Sequence, residues 1–228
     1  MPADHRSVPA AVLWDFDGTL ADSEPAWRAA ERRLLAELGA SVPEEWQIEL
    51  LGLGIVQSAA TMLGWAGRED LDAVATADRL GELALAELQA EGLRLRPGAG
   101  ELLAALRSEG VACGLVSATY TTILTPMLAS LPPNSFDVVV GGDEVAAGKP
   151  HPEPYLTAAA RLGVAPLDCL VLEDSLTGIA AAQAAGMPTL GIPFGQELTD
   201  GPRRRVVATL AGLTVADVGA LWRELAAA

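Results

Sequence analysis

Residues 10–19 read AAVLWDFDGT. An unbroken apolar run that stops at Asp-Gly-Thr is the pattern of a buried strand followed by a turn. Further runs of the same kind are VACGLVS at 111–117, FDVVVG at 136–141, CLVLED at 169–174 and PTLGI at 188–192, with a weaker candidate, VVATL, at 206–210. Helical stretches at 98–109, 121–130, 153–163 and 176–185 separate most of them, and another near 215–226 follows the last. Alternation of strand and helix predicts an α/β fold, a doubly wound parallel sheet covered on both faces.

Residues 22–92 break the pattern. No strand is visible there, and apolar residues recur at helical spacing: Trp27, Leu34, Leu35 and Leu38, then Leu71, Val74, Leu80, Leu83, Leu85 and Leu88. The expected organisation is therefore a core domain of residues 1–19 and 93–228 with an inserted helical domain at 20–92. Asp22 or Ser23 can cap the first inserted helix, Pro25 fits its first turn and Gly39 suits its end.

A chain of 228 residues is long enough for such a core and a small second domain. No run reaches the eighteen apolar residues of a membrane span, and the first ten residues lack the apolar stretch of a signal peptide, so a cytoplasmic protein without a membrane partner is expected. Cys113 and Cys169 sit in apolar runs without metal-ligand spacing and read as core filling. A formal charge of −15 with no basic stripe argues against nucleic acid. Such a chain needs its own local positive site to hold an anion. A monomer is the default.

Asp15 and Asp17 leave the first strand at its carboxyl end, where open α/β sheets bind ligands. An Asx turn would explain them on its own. A calcium loop would not, since Gly18 is fourth from Asp15 instead of sixth and Ala26 stands where the twelfth-position Glu belongs. Glu173 and Asp174 end another strand and should reach the same edge. Like charges about 4 Å apart repel by roughly 4 kcal/mol at an effective dielectric of 20, so four converging carboxylates call for a cation or raised pKa values. Oxygen ligands without nearby histidine or cysteine favour magnesium.

Ser117-Ala118-Thr119 ends the second core strand, where a hydroxyl and backbone N–H groups can bind phosphate oxygens. Lys149 is the single lysine beside fourteen arginines. A compact ammonium neutralises a carboxylate and a phosphate together better than a broad guanidinium. The surrounding stretch is not a P-loop, because five residues separate Gly142 and Gly148 and Pro150 replaces the Ser or Thr.

Taken in order, D-x-D-G-T, S-A-T, G-K-P and E-D-S, the chain resembles the haloacid dehalogenase superfamily in its phosphatase and phosphoglucomutase-like branch, over nearly its whole length. The resemblance implies a Rossmann-like core with a helical cap and a small phosphorylated metabolite as substrate. It makes Asp15 nucleophile and metal ligand, and Asp17 the general acid and base whose backbone carbonyl also meets the metal. Asp174 completes the magnesium ligands, and Glu173 supports them directly or through water. Ser117 and Lys149 would hold the transferring phosphoryl group, with backbone N–H donors from Gly18, Thr19 and Ala118 and a weaker contribution from Thr119. The leaving-group role requires Asp17 to be protonated at that step.

Departures from the branch favour hydrolysis, with a β-phosphoglucomutase-like sugar phosphate mutase kept as the alternative. Trp27 stands where the mutases usually carry a histidine, and Thr121 where they commonly place an asparagine. The cap has no lysine for a phosphonatase Schiff base. Asp17 and the acidic pair at 173–174 argue against a true dehalogenase, and the retention of Asp15, Asp17 and Lys149 against a non-catalytic binder. The stretch LLGLGIVQSAATM at 50–62, with Gln57 and Ser58, is expected to face the site, without an arginine, which leaves room for a substrate less polar than a hexose phosphate. Trp27 and Trp46 read as core, and Arg28, Arg32 and Arg33 as a solvated face. His5 and His151 receive no catalytic role.

Overall fold

The computed structural model describes residues 6–50 and 53–228. Leu51 and Gly52 of the expected site-facing stretch, and His5, lie outside the described residues. Six parallel strands form one sheet: β1 (Ala11–Trp14), β2 (Ala112–Val116), β3 (Val138–Val140), β4 (Cys169–Glu173), β5 (Thr189–Gly191) and β6 (Arg204–Val206), in the order β3-β2-β1-β4-β5-β6. Trp14 pairs with Leu115 on one side and Leu172 on the other. β1 is therefore central, and the chain reverses direction across the sheet beside it.

Side chains alternate between two apolar layers. Val12, Trp14, Leu170 and Leu172 face one, under α5 (Ala99–Ser108) and α9 (Val215–Ala226); Ala11, Leu13, Val116 and Val171 face the other, under α7 (Glu153–Leu162) and α8 (Leu176–Ala184). Burial on both faces explains why these strands read as continuous apolar runs. Cys113 and Cys169 are buried free thiols in these layers, and burial pushes Cys113 up to about 11. No helix among the described residues is long and apolar enough to cross a membrane.

Between β1 and α5 the described chain is helical: α1 (Glu24–Glu37), α2 (Trp46–Leu50), α3 (Ile55–Ala66) and α4 (Ala73–Glu91). Leu34 and Leu35 of α1, Met62 of α3 and Leu80, Leu83 and Leu88 of α4 are buried together. The chain enters and leaves this insertion side by side: the Asp22 amide donates to Arg94 O at 2.8 Å and the Arg96 amide to Leu20 O at 2.9 Å. A further helix, α6 (Thr121–Leu128), follows β2.

Three expectations need correction. The last strand is Arg204–Val206 and not 206–210; its half-buried residues pair with β5, so an edge strand carrying two arginines hides from an apolar-run search. Leu71 and Val74 are 37% and 53% exposed, because α4 starts only after its Asp72 cap and turns its buried stripe from Thr76 onward. Neither Asp22 nor Ser23 caps α1 through its side chain: Ser23 holds the cap position, but its hydroxyl is drawn to Asp17.

Candidate active site

Asp15 stands one residue past the paired end of β1, and its amide donates to Leu172 O at 3.0 Å. The carboxylate is buried. Lys149 Nζ donates to its Oδ1 at 2.6 Å, while Oδ2 is buried with no hydrogen-bond partner. Burial pushes Asp15 up to about 8, with Lys149 opposing and Glu173 and Asp17 adding to the rise.

Lys149 reaches the sheet edge from the loop before α7. That loop is braced by Glu153, whose carboxylate accepts from the amides of Ala146 at 2.9 Å and Ala147 at 3.0 Å. Besides Asp15, the ammonium donates to Glu173 Oε1 at 2.6 Å and Val116 O at 3.1 Å. Burial alone would lower its pKa, but Asp15 and Glu173 outweigh burial and hold it well above the usual lysine value.

Glu173 is fully buried at the end of β4 and accepts four hydrogen bonds. Lys149 and the Tyr155 hydroxyl, at 2.9 Å, donate to Oε1; the Ser175 amide at 3.0 Å and hydroxyl at 2.9 Å donate to Oε2. Room for it exists because residue 178 is glycine, where a Cβ would sit 1.6 Å from Oε1. Asp174, one residue on, is pushed up to about 9 by burial first, then by Asp15 and Glu173. Thr19 Oγ1 approaches its Oδ1 at 3.5 Å. Gly18 has a φ of +87°, and a Cβ there would lie 2.2 Å from Asp174 Oδ2, so the turn after β1 can pass the second acidic strand only as glycine. The Gly18 amide is committed to Ala21 O at 2.8 Å, which removes it from the expected phosphate donors.

Asp17 points toward the insertion. Its Oδ1 accepts from the Ser23 hydroxyl at 2.6 Å and the Trp27 indole N–H at 2.8 Å; its Oδ2 accepts from Thr119 at 2.8 Å and Ser117 at 3.2 Å. Ser117 also accepts the Thr119 amide at 2.9 Å. Thr119, the weaker candidate in sequence, is thus buried and in contact with Asp17, and Ala118 lies between the two on the cavity wall.

Asp15, Asp17, Thr119, Lys149 and Asp174 floor a cavity of about 710 Å³ roofed by α1 and α3, with Ser117 and Glu173 behind them. Gln57 and Ser58 line it, as expected. Arg28 lines it too and pairs with Glu24, so it is not merely part of a solvated face. Trp27 is a lining residue with a polar contact, whereas Trp46 is core. His151 is exposed, and its Nδ1 accepts the Glu153 amide at 3.2 Å. Sequence reading missed Tyr155, Glu31, Phe194 and Gln196, which no motif spacing links to the carboxylates.

Asp15, Glu173 and Asp174 each offer an oxygen within 4.8 Å of the others. An all-oxygen set holding an unpartnered buried carboxylate oxygen fits a hard divalent cation. Asp15 and Asp174 are the freer members, since both oxygens of Glu173 already accept hydrogen bonds.

A family model described as a haloacid dehalogenase-like hydrolase matches residues 9–186. The phosphoglycolate phosphatase of Salmonella typhi is 37% identical over 204 residues, with 81% of each chain covered. Among solved structures, CbbY from Rhodobacter sphaeroides in complex with phosphate is 30% identical, with a TM-score of 0.79 over 90% of this chain and 96% of that one. A β-phosphoglucomutase from Clostridium difficile has a TM-score of 0.82 at 22% identity, covering 96% of this chain and 100% of that one, a likeness of fold.

Proposed function

The chain belongs to the haloacid dehalogenase-like hydrolases, and from that premise we propose that it is a magnesium-dependent phosphatase of small phosphomonoesters that works through an aspartyl-phosphate on Asp15. The observation that carries this reading is the Asp15 carboxylate on the cavity lining, with Oδ1 held by Lys149 and Oδ2 buried without a hydrogen-bond partner. A carboxylate held in this way is fixed in orientation for in-line attack.

One oxygen of the Asp15 carboxylate forms a bond to phosphorus as the ester P–O bond breaks, and protonated Asp17 gives its proton to the departing alcohol oxygen. Asp17, now a carboxylate, then takes a proton from water as the water oxygen bonds to phosphorus. The P–O bond to Asp15 breaks, inorganic phosphate leaves and the carboxylate is restored. Ser117 and Lys149 bind phosphoryl oxygens, with the amides of Thr19 and Ala118 beside them. Asp15, Asp174 and the backbone carbonyl of Asp17 would hold magnesium, with Glu173 behind them. When bound, the ion supplies the positive charge that keeps the clustered carboxylates ionised and offsets charge on the phosphoryl oxygens. The helices of residues 20–92 act as the cap that excludes water from this site.

Support for hydrolysis over phosphoryl migration comes from two positions. Trp27 engages Asp17 with an N–H and has no basic nitrogen to offer a sugar. Thr121 is turned to Asp143, which accepts from its amide at 2.8 Å and its hydroxyl at 2.7 Å. The test is phosphate release from sugar phosphates, nucleotides, phosphoglycolate and small alcohol phosphates, with magnesium or EDTA, for wild type and Asp15→Asn. Release that survives EDTA or the substitution would sink the proposal.

A further inference from the structure

The two ends of the cavity differ in charge. At the floor, Lys149 accompanies the carboxylates, and on the phosphatase reading a divalent cation joins it. At the roof, where the leaving alcohol must lie, the charged lining residues are Glu24, Arg28 and Glu31, all on α1. Arg28 is the one cation among the described residues of that wall, and it is already paired with Glu24. Glu31, one helical turn further along, lines the cavity and has no hydrogen bond among the described residues.

Once Glu31 is ionised, above about pH 7, two carboxylates against one guanidinium already paired with Glu24 leave the roof net anionic. A carboxylate or second phosphate on the leaving group would be desolvated there with no free positive partner, which is the condition that rejects a charged ligand. Neutral hydroxyls meet the opposite situation. The Glu31 carboxylate can accept from them, and Gln57 has its amide nitrogen to donate because its Oε1 is used by the Gly54 amide at 3.3 Å. Buried Ser58 and the nearby Gln47 extend the same polar, uncharged character.

We infer that the natural substrate is a phosphomonoester of an uncharged, hydroxyl-bearing alcohol, selected against anionic leaving groups by Glu31. The inference rests on the phosphatase reading and separates this chain from relatives whose names specify phosphoglycolate. A site built to hydrogen-bond hydroxyls discriminates more strongly than an apolar one, because its polar groups are left unpaired by a wrong substrate.

The test compares kcat/KM of the protein with magnesium at pH 8, where Glu31 is ionised, on glycerol 3-phosphate, phosphoglycolate, phosphoethanolamine and p-nitrophenyl phosphate, for wild type and Glu31→Gln. Glycerol 3-phosphate should exceed phosphoglycolate by about tenfold or more, and Glu31→Gln should shrink that ratio about three- to tenfold, as loss of one repulsive charge predicts. A ratio of two substrates on one preparation does not depend on the fraction folded. Phosphoglycolate equal to or better than glycerol 3-phosphate, phosphoethanolamine above both, or a ratio unmoved by Glu31→Gln would each overturn the inference. If p-nitrophenyl phosphate and the rest all release nothing, the phosphatase reading itself has failed, and this inference with it.

Discussion

Trp27, on the first helix of the insertion, donates its indole N–H to Oδ1 of Asp17 at 2.8 Å. A residue ten positions downstream, across the boundary between sheet and insertion, thereby helps to orient the carboxylate assigned to proton transfer. Trp27→Phe keeps the ring and removes the donor. Turnover of an alkyl phosphate should fall about three- to tenfold, the scale of one lost hydrogen bond to a charged group. Turnover of p-nitrophenyl phosphate, whose leaving group needs no proton, should fall less. Equal losses on both substrates, measured by steady-state kcat, would place the effect in packing instead.

Lys149 holds Asp15 and Glu173 together, with all three side chains nearly removed from solvent. Lys149→Met leaves neighbouring buried carboxylates uncompensated, which should cost about 3–5 kcal/mol in urea denaturation and abolish phosphate release. Lys149→Arg should not restore activity, since a planar fork cannot reach Asp15, Glu173 and the Val116 carbonyl from one nitrogen.

Magnesium should stabilise the fold by about 2.7 kcal/mol at a hundred times its dissociation constant, growing with the logarithm of its concentration, and raise the melting temperature accordingly. Asp174→Asn should shrink that increment. The increment should also be larger at pH 8 than at pH 5, because protons compete for the same oxygens. Calorimetry with and without EDTA reads all three.

Gly178→Ala should displace Glu173, because the new Cβ would sit 1.6 Å from its Oε1. The expected stability loss is about 1–3 kcal/mol from overpacking, with a larger relative fall in kcat because the partner of Lys149 moves. A fully active, equally stable variant would contradict the packing described.

Burial pushes Glu31 up to about 7, with Arg28 drawing it down and Glu24 adding to the rise. From the usual glutamate value up to about 7, the folded protein keeps a proton that the unfolded chain has released, so Glu31 weakens folding as pH rises through that window and the penalty is complete above it. Glu31→Gln should therefore stabilise the protein at pH 8 by about 1 kcal/mol after allowance for solvent in the cavity, and much less at pH 5. Urea midpoints at the two pH values check the sign.

Much of the architecture was legible in the residues. Five strands could be placed because a strand buried on both faces reads as an unbroken apolar run, and the acidic and hydroxyl positions followed from where those runs end. Lys149 was conspicuous because the composition avoids lysine everywhere else. β6 was misplaced because an edge strand is not required to be apolar; Leu71 was overcounted because it precedes the Asp72 cap, and Val74 because the first turn of α4 precedes its buried stripe.

What tertiary structure alone decided is which group answers which. Sequence order placed Asp15, Asp17, Glu173 and Asp174 at one sheet edge, since strand ends in a parallel sheet share a side. It could not say that Glu173 would be claimed by Lys149, Tyr155 and Ser175, that Asp17 would turn to Trp27 and Ser23, or that Arg28 and Glu31 would face the cavity instead of bulk water. Those partnerships depend on distances of a few ångströms between residues far apart in the chain, set by how α1 packs on α4 and α7 on the sheet. A hydrogen bond is won or lost within less than 1 Å, whereas an apolar run tolerates errors of that size.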